Sequence, residues 1–213
     1  MLFNMIFYKI LLFSMQGKFI VFEGIDKSGK ATQAKLLCDY LHAKGAHVVY
    51  TAEPSPNNPA GRLIKDWLAG RLEMTSGEAI TLLYTADRFE HLKRVILPNI
   101  AEGRNVVCDR YFYSTIAYES SIFNVDAEWI RKLNEKAKKP DLVIYIDIAP
   151  EVSLQRKRKR PDDRLEKVEL LRKVRDAYHK MAKDEGFFVV DGDRTKEEVF
   201  ADVKKICERF LSI

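Results

Sequence analysis

Short apolar runs alternate along this chain with longer stretches in which apolar residues recur every three or four positions. The apolar runs are rich in Val and Ile and predict buried parallel strands at about 18–23, 47–51, 105–109, 142–147 and 187–191. The helical periodicity predicts segments at about 29–44, 60–70, 77–102, 126–138, 150–159, 166–185 and 196–211. This alternation predicts an α/β fold in which a five-stranded parallel sheet lies between two layers of helices.

Three local signals refine the helix boundaries. Gly45 is expected to end the first helix as a C′ glycine. Thr75 with Glu78, and Thr195 with Glu198, have the spacing of capping boxes and predict helix starts.

A glycine-containing loop lies between the first predicted strand and the first predicted helix. Gly24, Gly29 and Lys30 fit the spacing G-x-x-x-x-G-K, which is typical of a phosphate-binding P-loop in this structural context. The alternative is an ordinary glycine turn. The P-loop interpretation predicts that the chain binds ATP through Gly24, Ile25, Asp26, Lys27, Ser28, Gly29, Lys30, Ala31 and Thr32.

The last position of the P-loop motif departs from the pattern. Ala31 stands where a Ser or Thr hydroxyl normally contributes to Mg²⁺ binding, and Thr32 follows it. Because Thr32 is about 100° further round the helix, we expect water to fill the missing position.

Length and composition constrain the number of domains, the charge of the ligand and the state of the cysteines. Its 213 residues, 46% hydrophobic and 31% charged, predict one domain, or one domain with a small lid. The formal net charge of +5 suits an anionic ligand without identifying one. Cys38, Cys108 and Cys207 lack metal-ligand spacing and are expected to be buried, reduced thiols of a cytoplasmic protein.

The N-terminus is strongly apolar. Residues 1–14 are too few to span a bilayer and lack the basic region and cleavage site of a signal peptide. We expect a dispensable extension or an apolar arm, with residues 15–213 forming the domain. A membrane anchor is the less favoured alternative, and no membrane partner is expected.

Several motifs together resemble one known family. In order, they are Phe-Glu-Gly-Ile-Asp-Lys-Ser-Gly-Lys at 22–30, Glu-Pro at 53–54, Leu-Leu-Tyr-Thr-Ala-Asp-Arg at 82–88, Asp-Arg-Tyr-Phe-Tyr-Ser-Thr-Ile-Ala-Tyr at 109–118, and Lys-Pro-Asp-Leu-Val-Ile-Tyr-Ile-Asp at 139–147. From Gly17 onward, the chain resembles the thymidylate kinases of the P-loop nucleoside monophosphate kinase group. The resemblance implies a P-loop NTPase fold and Mg²⁺-assisted phosphorylation of dTMP by ATP.

The resemblance also implies roles for residues that contact the acceptor nucleotide. Asp26 would accept a hydrogen bond from the 3′-hydroxyl, and Tyr84 would stack on the thymine ring. Arg88 would donate to a base carbonyl, and Tyr118 would pack under the sugar. The complete set of expected acceptor-binding residues is Asp26, Glu53, Tyr84, Arg88, Arg110, Ser114, Thr115 and Tyr118. By periodicity alone Tyr84 would more often belong to the core, and Asp26 could be a turn-forming residue.

Phosphoryl transfer requires cations and positioning rather than a covalent nucleophile. Lys30 is expected to bridge the donor phosphates, and Lys27 could place a second cation on the transferred group, or could be a solvated loop lysine. Asp109 ends a predicted strand and is the candidate Mg²⁺ ligand, while Arg110 should reach the phosphates of both substrates. A structural ion pair between Asp109 and Arg110 is the alternative.

A basic run begins at Arg156 and continues to Arg160. Its position resembles the family's lid, about residues 156–166, and we select Arg160 and Arg164 as the catalytic candidates. By composition alone the run could bind nucleic acid. A further departure is Ala52, which stands where the family usually has an Arg that helps hold the acceptor phosphate.

Two alternatives to dTMP phosphorylation remain open. One is a monophosphate kinase of broader specificity that accepts dUMP or others, and the other is a P-loop protein that binds nucleic acid. The absence of an Asn-Lys-x-Asp sequence disfavours a regulatory GTPase. No nucleic-acid partner is expected, and the resemblance implies a homodimer, with which the apolar helix near 77–100 is compatible.

Overall fold

The structure is a computed structural model and describes residues 16–156 and 168–213. Its strands form a single parallel sheet in the order β2-β3-β1-β4-β5. The strands are β1 (Phe19–Glu23), β2 (Val48–Ala52), β3 (Asn105–Asp109), β4 (Leu142–Asp147) and β5 (Phe188–Asp191). The predicted α/β fold and all the predicted strands are confirmed, with ends that shift by one residue at most.

Helices cover both faces of this sheet. They are α1 (Lys30–Ala43), α2 (Pro59–Leu68), α3 (Gly77–His91), α4 (Leu97–Ala101), α5 (Phe112–Ile122), α6 (Ala127–Leu133), α7 (Pro150–Gln155), α8 (Val168–Glu185) and α9 (Lys196–Leu211). A π-helical segment, Leu92–Ile96, joins α3 to α4, so the predicted helix at 77–102 is nearly continuous but contains one wider turn.

Helix α5 was not predicted from the sequence. Most of its side chains are buried, including Phe112, Ile116 and Tyr118, so it lacks the polar face that identifies an amphipathic helix. It also lacks a side-chain cap of its own. Instead, Glu23 of β1 accepts hydrogen bonds from the backbone N–H groups of Tyr111 and Ser114 at the start of this helix.

Two predicted helices end earlier than expected. Helix α6 ends at Leu133 rather than near 138, because Asn134 leaves the helical geometry and its side chain binds Ile130 O and Arg88. Helix α7 ends at Gln155 rather than near 159.

The predicted capping signals had different outcomes. The capping box at Thr195 and Glu198 is confirmed, and Gly45 has the expected positive φ, 83°. The box at Thr75 is wrong, because Ser76 caps α3 and its Oγ accepts from the N–H of Ala79.

Alternate residues of β1 face two separate apolar layers. Phe19 and Val21 pack with residues of α3, α5 and α8, whereas Ile20 and Phe22 pack with α1 and α9. The three cysteines lie within the described ranges, and all are buried and unbridged, as predicted. Residues 1–14 and nearly all of the predicted lid lie outside the described residues. In the described part of the chain, no helix is long and apolar enough to cross a membrane.

Candidate active site

The glycine loop connects β1 to α1 at the carboxyl edge of the sheet. Gly24 has φ 149°, and a Cβ there would lie 2.6 Å from Ile146 O, so this backbone position requires glycine. Gly29 has φ 100° and forms the N-cap of α1. The loop therefore directs backbone N–H groups and the positive end of the α1 dipole toward the same space.

Lys30 is the first residue of α1 and lies almost fully buried under the loop. Its Nζ donates to Ile25 O at 3.2 Å and lies 3.9 Å from Asp26 Oδ1. Burial, assisted by the nearby Arg110 guanidinium, lowers the pKa of Lys30 to about 8. A phosphate in the loop would restore a full positive charge on this side chain.

Arg110 follows β3 and faces the loop. It has φ 71°, a left-handed conformation that is rare for a residue with a side chain. Its Nη1 donates to Gly24 O at 3.1 Å and to Ser114 Oγ at 2.9 Å, and its Nη2 pairs with Asp26. The strained backbone is thus held where it directs the guanidinium into the site.

Asp26 is held from two sides. Tyr118 OH donates to Asp26 Oδ2 at 3.2 Å, opposite the pairing with Arg110. Although burial opposes its charge, Arg110 and then Lys30 lower the pKa of Asp26 to about 2. Asp26 is therefore an anion that can accept, but not donate, a hydrogen bond at neutral pH.

Glu23 lies below this cluster and was not singled out from the sequence. It is fully buried, and its Oε2 accepts from Ser114 Oγ at 2.6 Å and Tyr178 OH at 2.8 Å. Burial raises the pKa of Glu23, partly offset by these bonds and by Arg110. The carboxyl group joins β1 to α5 and α8 below the loop. The sequence signal that could have identified Glu23 is a single acidic residue at the end of an apolar run.

Arg88 of α3 forms the far wall of the site and is 1% exposed. Its Nε donates to Glu53 Oε2 at 2.9 Å, its Nη1 to Asn134 Oδ1 at 2.8 Å, and its Nη2 to Thr115 Oγ1 at 3.0 Å. His91 lies 3.2 Å from the other oxygen of Glu53. Glu53 thus fixes Arg88, and neither Asn134 nor His91 was singled out from the sequence.

A cleft lies between these two walls and reaches the glycine loop at Asp26. The structure brings together every residue predicted to bind the acceptor: Asp26, Glu53, Tyr84, Arg88, Arg110, Ser114, Thr115 and Tyr118 all line it. Leu68 and Glu119 also line it and were missed by the sequence analysis. Tyr84 is half-buried in the cleft wall rather than wholly within the core.

The predicted metal ligand, Asp109, lies at the carboxyl end of β3. Its Oδ1 is buried and has no hydrogen-bond partner within residues 16–156 and 168–213. The described residues contain no cluster of three metal-ligating side chains. A single carboxylate is nevertheless what a nucleotide-bound Mg²⁺ requires, because phosphates and water provide the other ligands. The residues present therefore fit Mg²⁺.

The other loop residues lie around this position. Ala31 is half-buried, and Thr32 and Lys27 are exposed. Ser28 Oγ is buried and unpartnered among the side chains that the structure describes.

Helix α7 packs its C-terminal end against the loop. Ser153 Oγ donates to Asp26 O at 2.7 Å. Arg156 Nη1 lies 3.5 Å from Ser28 O, and its Nη2 donates to Gly192 O at 2.9 Å. Arg156 is the first residue of the basic run, so the run begins beside the glycine loop. Arg160 and Arg164, the predicted lid residues, lie outside the described residues.

Comparisons with known proteins agree on one family. The family model described as thymidylate kinase matches residues 22–203. A probable thymidylate kinase of Pyrococcus horikoshii is 44% identical over 79% of this chain and 84% of its own length. The thymidylate kinase of Thermosipho africanus is 38% identical over 91% of this chain and 98% of its own. A solved thymidylate kinase from Candida albicans superimposes with a TM-score of 0.78 at 27% identity, covering 91% of this chain and 92% of that one.

Proposed function

The chain belongs to the thymidylate kinase family, and from that premise we propose that it transfers the γ-phosphoryl group of ATP to dTMP. The products are dTDP and ADP. One observation supports this most strongly: the cleft lined by the predicted acceptor-binding residues reaches the glycine loop at Asp26, which pairs with Arg110. A monophosphate in the cleft would meet a triphosphate in the loop at one shared guanidinium.

The acceptor end of the reaction relies on rigid positioning. Arg110 neutralises the acceptor phosphate and, beside the loop, the transferred group. Asp26, an anion that can only accept, receives the 3′-hydroxyl of the sugar. The Tyr118 ring packs under the sugar, its hydroxyl anchored on Asp26. Ser114 and Glu23 hold the Arg110 guanidinium in place.

The base end of the cleft combines an aromatic wall with a polar edge. Tyr84 stacks on the thymine ring, and Arg88, fixed by Glu53 and Asn134, directs its remaining N–H toward a base carbonyl. Thr115, which accepts from Arg88, lies at the same edge.

The donor end uses the loop and its cations. Lys30 bridges the β- and γ-phosphates, and Lys27, Arg160 and Arg164 are the proposed additional cations at the transferred group. Asp109 would hold Mg²⁺ directly or through water, and the bound ion would neutralise charge on the ATP oxygens. No side chain forms a covalent intermediate.

The absence of a hydroxyl at Ala31 leads to a testable prediction about the affinity for Mg²⁺. Replacing Ala31 with serine is expected to lower, several-fold, the Mg²⁺ concentration that gives half-maximal rate, because it restores an oxygen ligand at the helix start. The KM for dTMP should change little. A Mg²⁺ titration of both proteins measures this, and superimposable curves would contradict it. Thr32→Val is the comparison: a raised Mg²⁺ requirement there would show that Thr32, rather than water, fills the position.

The choice of acceptor is tested by measuring ADP release with a panel of nucleoside monophosphates. dTMP is expected to give the highest kcat/KM. Ala52, at the end of β2, lacks the guanidinium that the family resemblance implies for this position, so dUMP is the acceptor to compare first. A panel in which dUMP or a ribonucleotide exceeds dTMP would favour the broader-specificity alternative. No ADP release with any acceptor, together with salt-sensitive DNA binding, would overturn the kinase proposal.

The quaternary structure that we propose is a homodimer. Leu82 and Phe89 lie seven residues apart on one face of α3, with exposed fractions of 49% and 36%. Leu97 continues this apolar stripe on α4, and Leu63 lies on the packed neighbour α2. A second copy that presents the same stripe would cover it through a two-fold contact.

The homodimer is tested by placing charge in the stripe. The double variant Leu82→Glu/Phe89→Glu is expected to have the monomer mass of 24.7 kDa by light scattering. The unmodified protein is expected to have twice that mass. Phe188→Glu is the matched control, because Phe188 is 44% exposed but lies on β5, away from the stripe. A monomeric unmodified protein, or a dimeric double variant, would contradict the proposal.

A cytoplasmic location is proposed on chemical grounds. The three buried and unbridged cysteines suit a reducing compartment, and both proposed substrates are intracellular nucleotides.

A further inference from the structure

Glu119 is a buried acid that the reaction as described does not use. It lies on α5, four residues after Thr115, and lines the acceptor cleft. The residue is 1% exposed, and its Oε2 has no hydrogen-bond partner in the described part of the chain. A buried polar group without a partner is costly to stability, and its place in the wall of a cleft allows a ligand to provide the partner.

The surroundings of this carboxyl favour its neutral form. Burial raises the pKa of Glu119 to about 8. The facing wall, α3, contributes Tyr84, whose pKa is raised first by burial and then by Glu119 itself, and Arg88, which is paired with Glu53. The remaining charged or titratable groups of the cleft are Asp26, Arg110, Tyr111 and Tyr118. Arg110 pairs with Asp26, so Glu119 has no cationic partner among the described residues.

On the basis of the proposed function, we propose that Glu119 binds the acceptor's base as a neutral carboxylic acid. Its carbonyl oxygen accepts the N3–H of the pyrimidine, and its hydroxyl donates to the O4 carbonyl. No proton is transferred. Glu119 is then a residue that contacts substrate and determines base binding.

The placement of Glu119 at the base follows from the layout of the cleft. Asp26 and Arg110 mark the end that meets the glycine loop, and Tyr118, the residue before Glu119, contacts both of them. Thr115 and Glu119, four apart, share one face of α5 and therefore one edge of the cleft. A ring stacked on Tyr84 would direct its N3 and O4 edge toward them.

Ionisation would break this pairing. A carboxylate can accept from N3–H but repels the O4 oxygen and has no proton to donate to it. The protein should therefore lose affinity for dTMP as the pH rises through the range in which Glu119 ionises. Glutamine at this position keeps one donor and one acceptor but cannot ionise.

The test is the dissociation constant for dTMP, measured by calorimetry without ATP between about pH 7 and about pH 9. We expect the wild-type affinity to fall about tenfold over this range, and that of Glu119→Gln to stay nearly constant. Glu119→Leu should bind dTMP about tenfold more weakly than wild type at neutral pH. Lys30 also titrates near pH 8 but is present in all three proteins, so any change it causes appears equally in each.

Thermal melting separates binding from a structural role. Because the folded-state pKa of Glu119 lies above its unfolded value, folding stability is lost as the pH rises from the unfolded pKa towards the folded one. Glu119→Leu removes this penalty, so the unliganded variant should melt higher than wild type at about pH 9 while binding dTMP more weakly. A structural residue would instead give a lower melting temperature.

The results distinguish failure of the role of Glu119 from failure of the proposed function. Identical pH dependence in wild type and Glu119→Gln, or unchanged dTMP affinity in Glu119→Leu, would overturn the role of Glu119. If wild type still forms dTDP in that case, the proposed function stands without it. If wild type neither binds nor phosphorylates dTMP, the proposed function fails, and the role of Glu119 fails with it.

Discussion

Replacing Lys30 with alanine is expected to lower kcat by about 10²-fold or more while the protein stays folded. Lys30 is the buried cation at the start of α1, between the loop backbone and Asp26. In the transition state, charge spreads over the oxygens of the transferred group, and the buried Lys30 ammonium lies directly against the loop backbone. Removing Lys30 therefore withdraws stabilisation that develops mainly during transfer.

Lys35→Ala is the matched control for this prediction. Lys35 lies on the same helix but is exposed, with its Nζ 5.3 Å from the Tyr50 ring. Steady-state kinetics with a melting curve for each variant give the comparison. A Lys30→Ala protein that melts normally and turns over at the wild-type rate would show that this loop is not a phosphate-binding loop.

Replacing Arg110 with methionine is expected to lower kcat/KM for dTMP by about 10³-fold. This guanidinium contacts the loop carbonyl of Gly24, the carboxylate of Asp26 and the hydroxyl of Ser114, so it orients the groups at both ends of the reaction. Arg110→Lys should recover only a small part of the loss, because an ammonium group cannot reproduce the planar fork.

The Arg110 variant also makes a prediction about acid stability. Arg110 helps to lower the pKa of Asp26 to about 2, so the stabilisation that this pair adds is present above the unfolded pKa near 4 and is lost as the pH falls through 2. The melting temperatures of wild type and Arg110→Met should therefore converge in strong acid. Arg71→Met, which removes an exposed arginine paired with Asp66, is the control. Equal kcat/KM in Arg110→Met and Arg71→Met would contradict the assignment.

The parts of the fold that the sequence predicted are those with local signals. The glycine loop has fixed spacing, and each strand is a short apolar run, so both could be identified within a few residues. Helix α5 could not, because it is buried on nearly all sides and is capped by Glu23 from a distant strand. The capping signal at 75–78 failed because two adjacent hydroxyl residues competed, and Ser76 formed the cap.

The candidate site likewise divides into residues with a local sequence signal and residues without one. Residues that resemble family motifs were predicted to contact the acceptor, and the fold brings them to one cleft. The groups that hold them in place could not be inferred. Asn134 and His91 matter here because they lie against Arg88 and Glu53, 46 and 38 residues away from them along the chain. Likewise, the missing hydrogen-bond partner of the Glu119 carboxyl among the described residues can be recognised only in the folded structure, where α5 packs against α3.

The most direct test of the central claim is transfer of label from ATP carrying a labelled γ-phosphate to unlabelled dTMP. We expect the label to appear in dTDP, with one ADP formed for each dTDP, and only when Mg²⁺ and dTMP are both present. The Lys30→Ala and Arg110→Met proteins should show the losses given above in the same assay. Label recovered only as inorganic phosphate, or no labelled dTDP from a folded wild-type protein, would contradict the assignment of this site to dTMP phosphorylation.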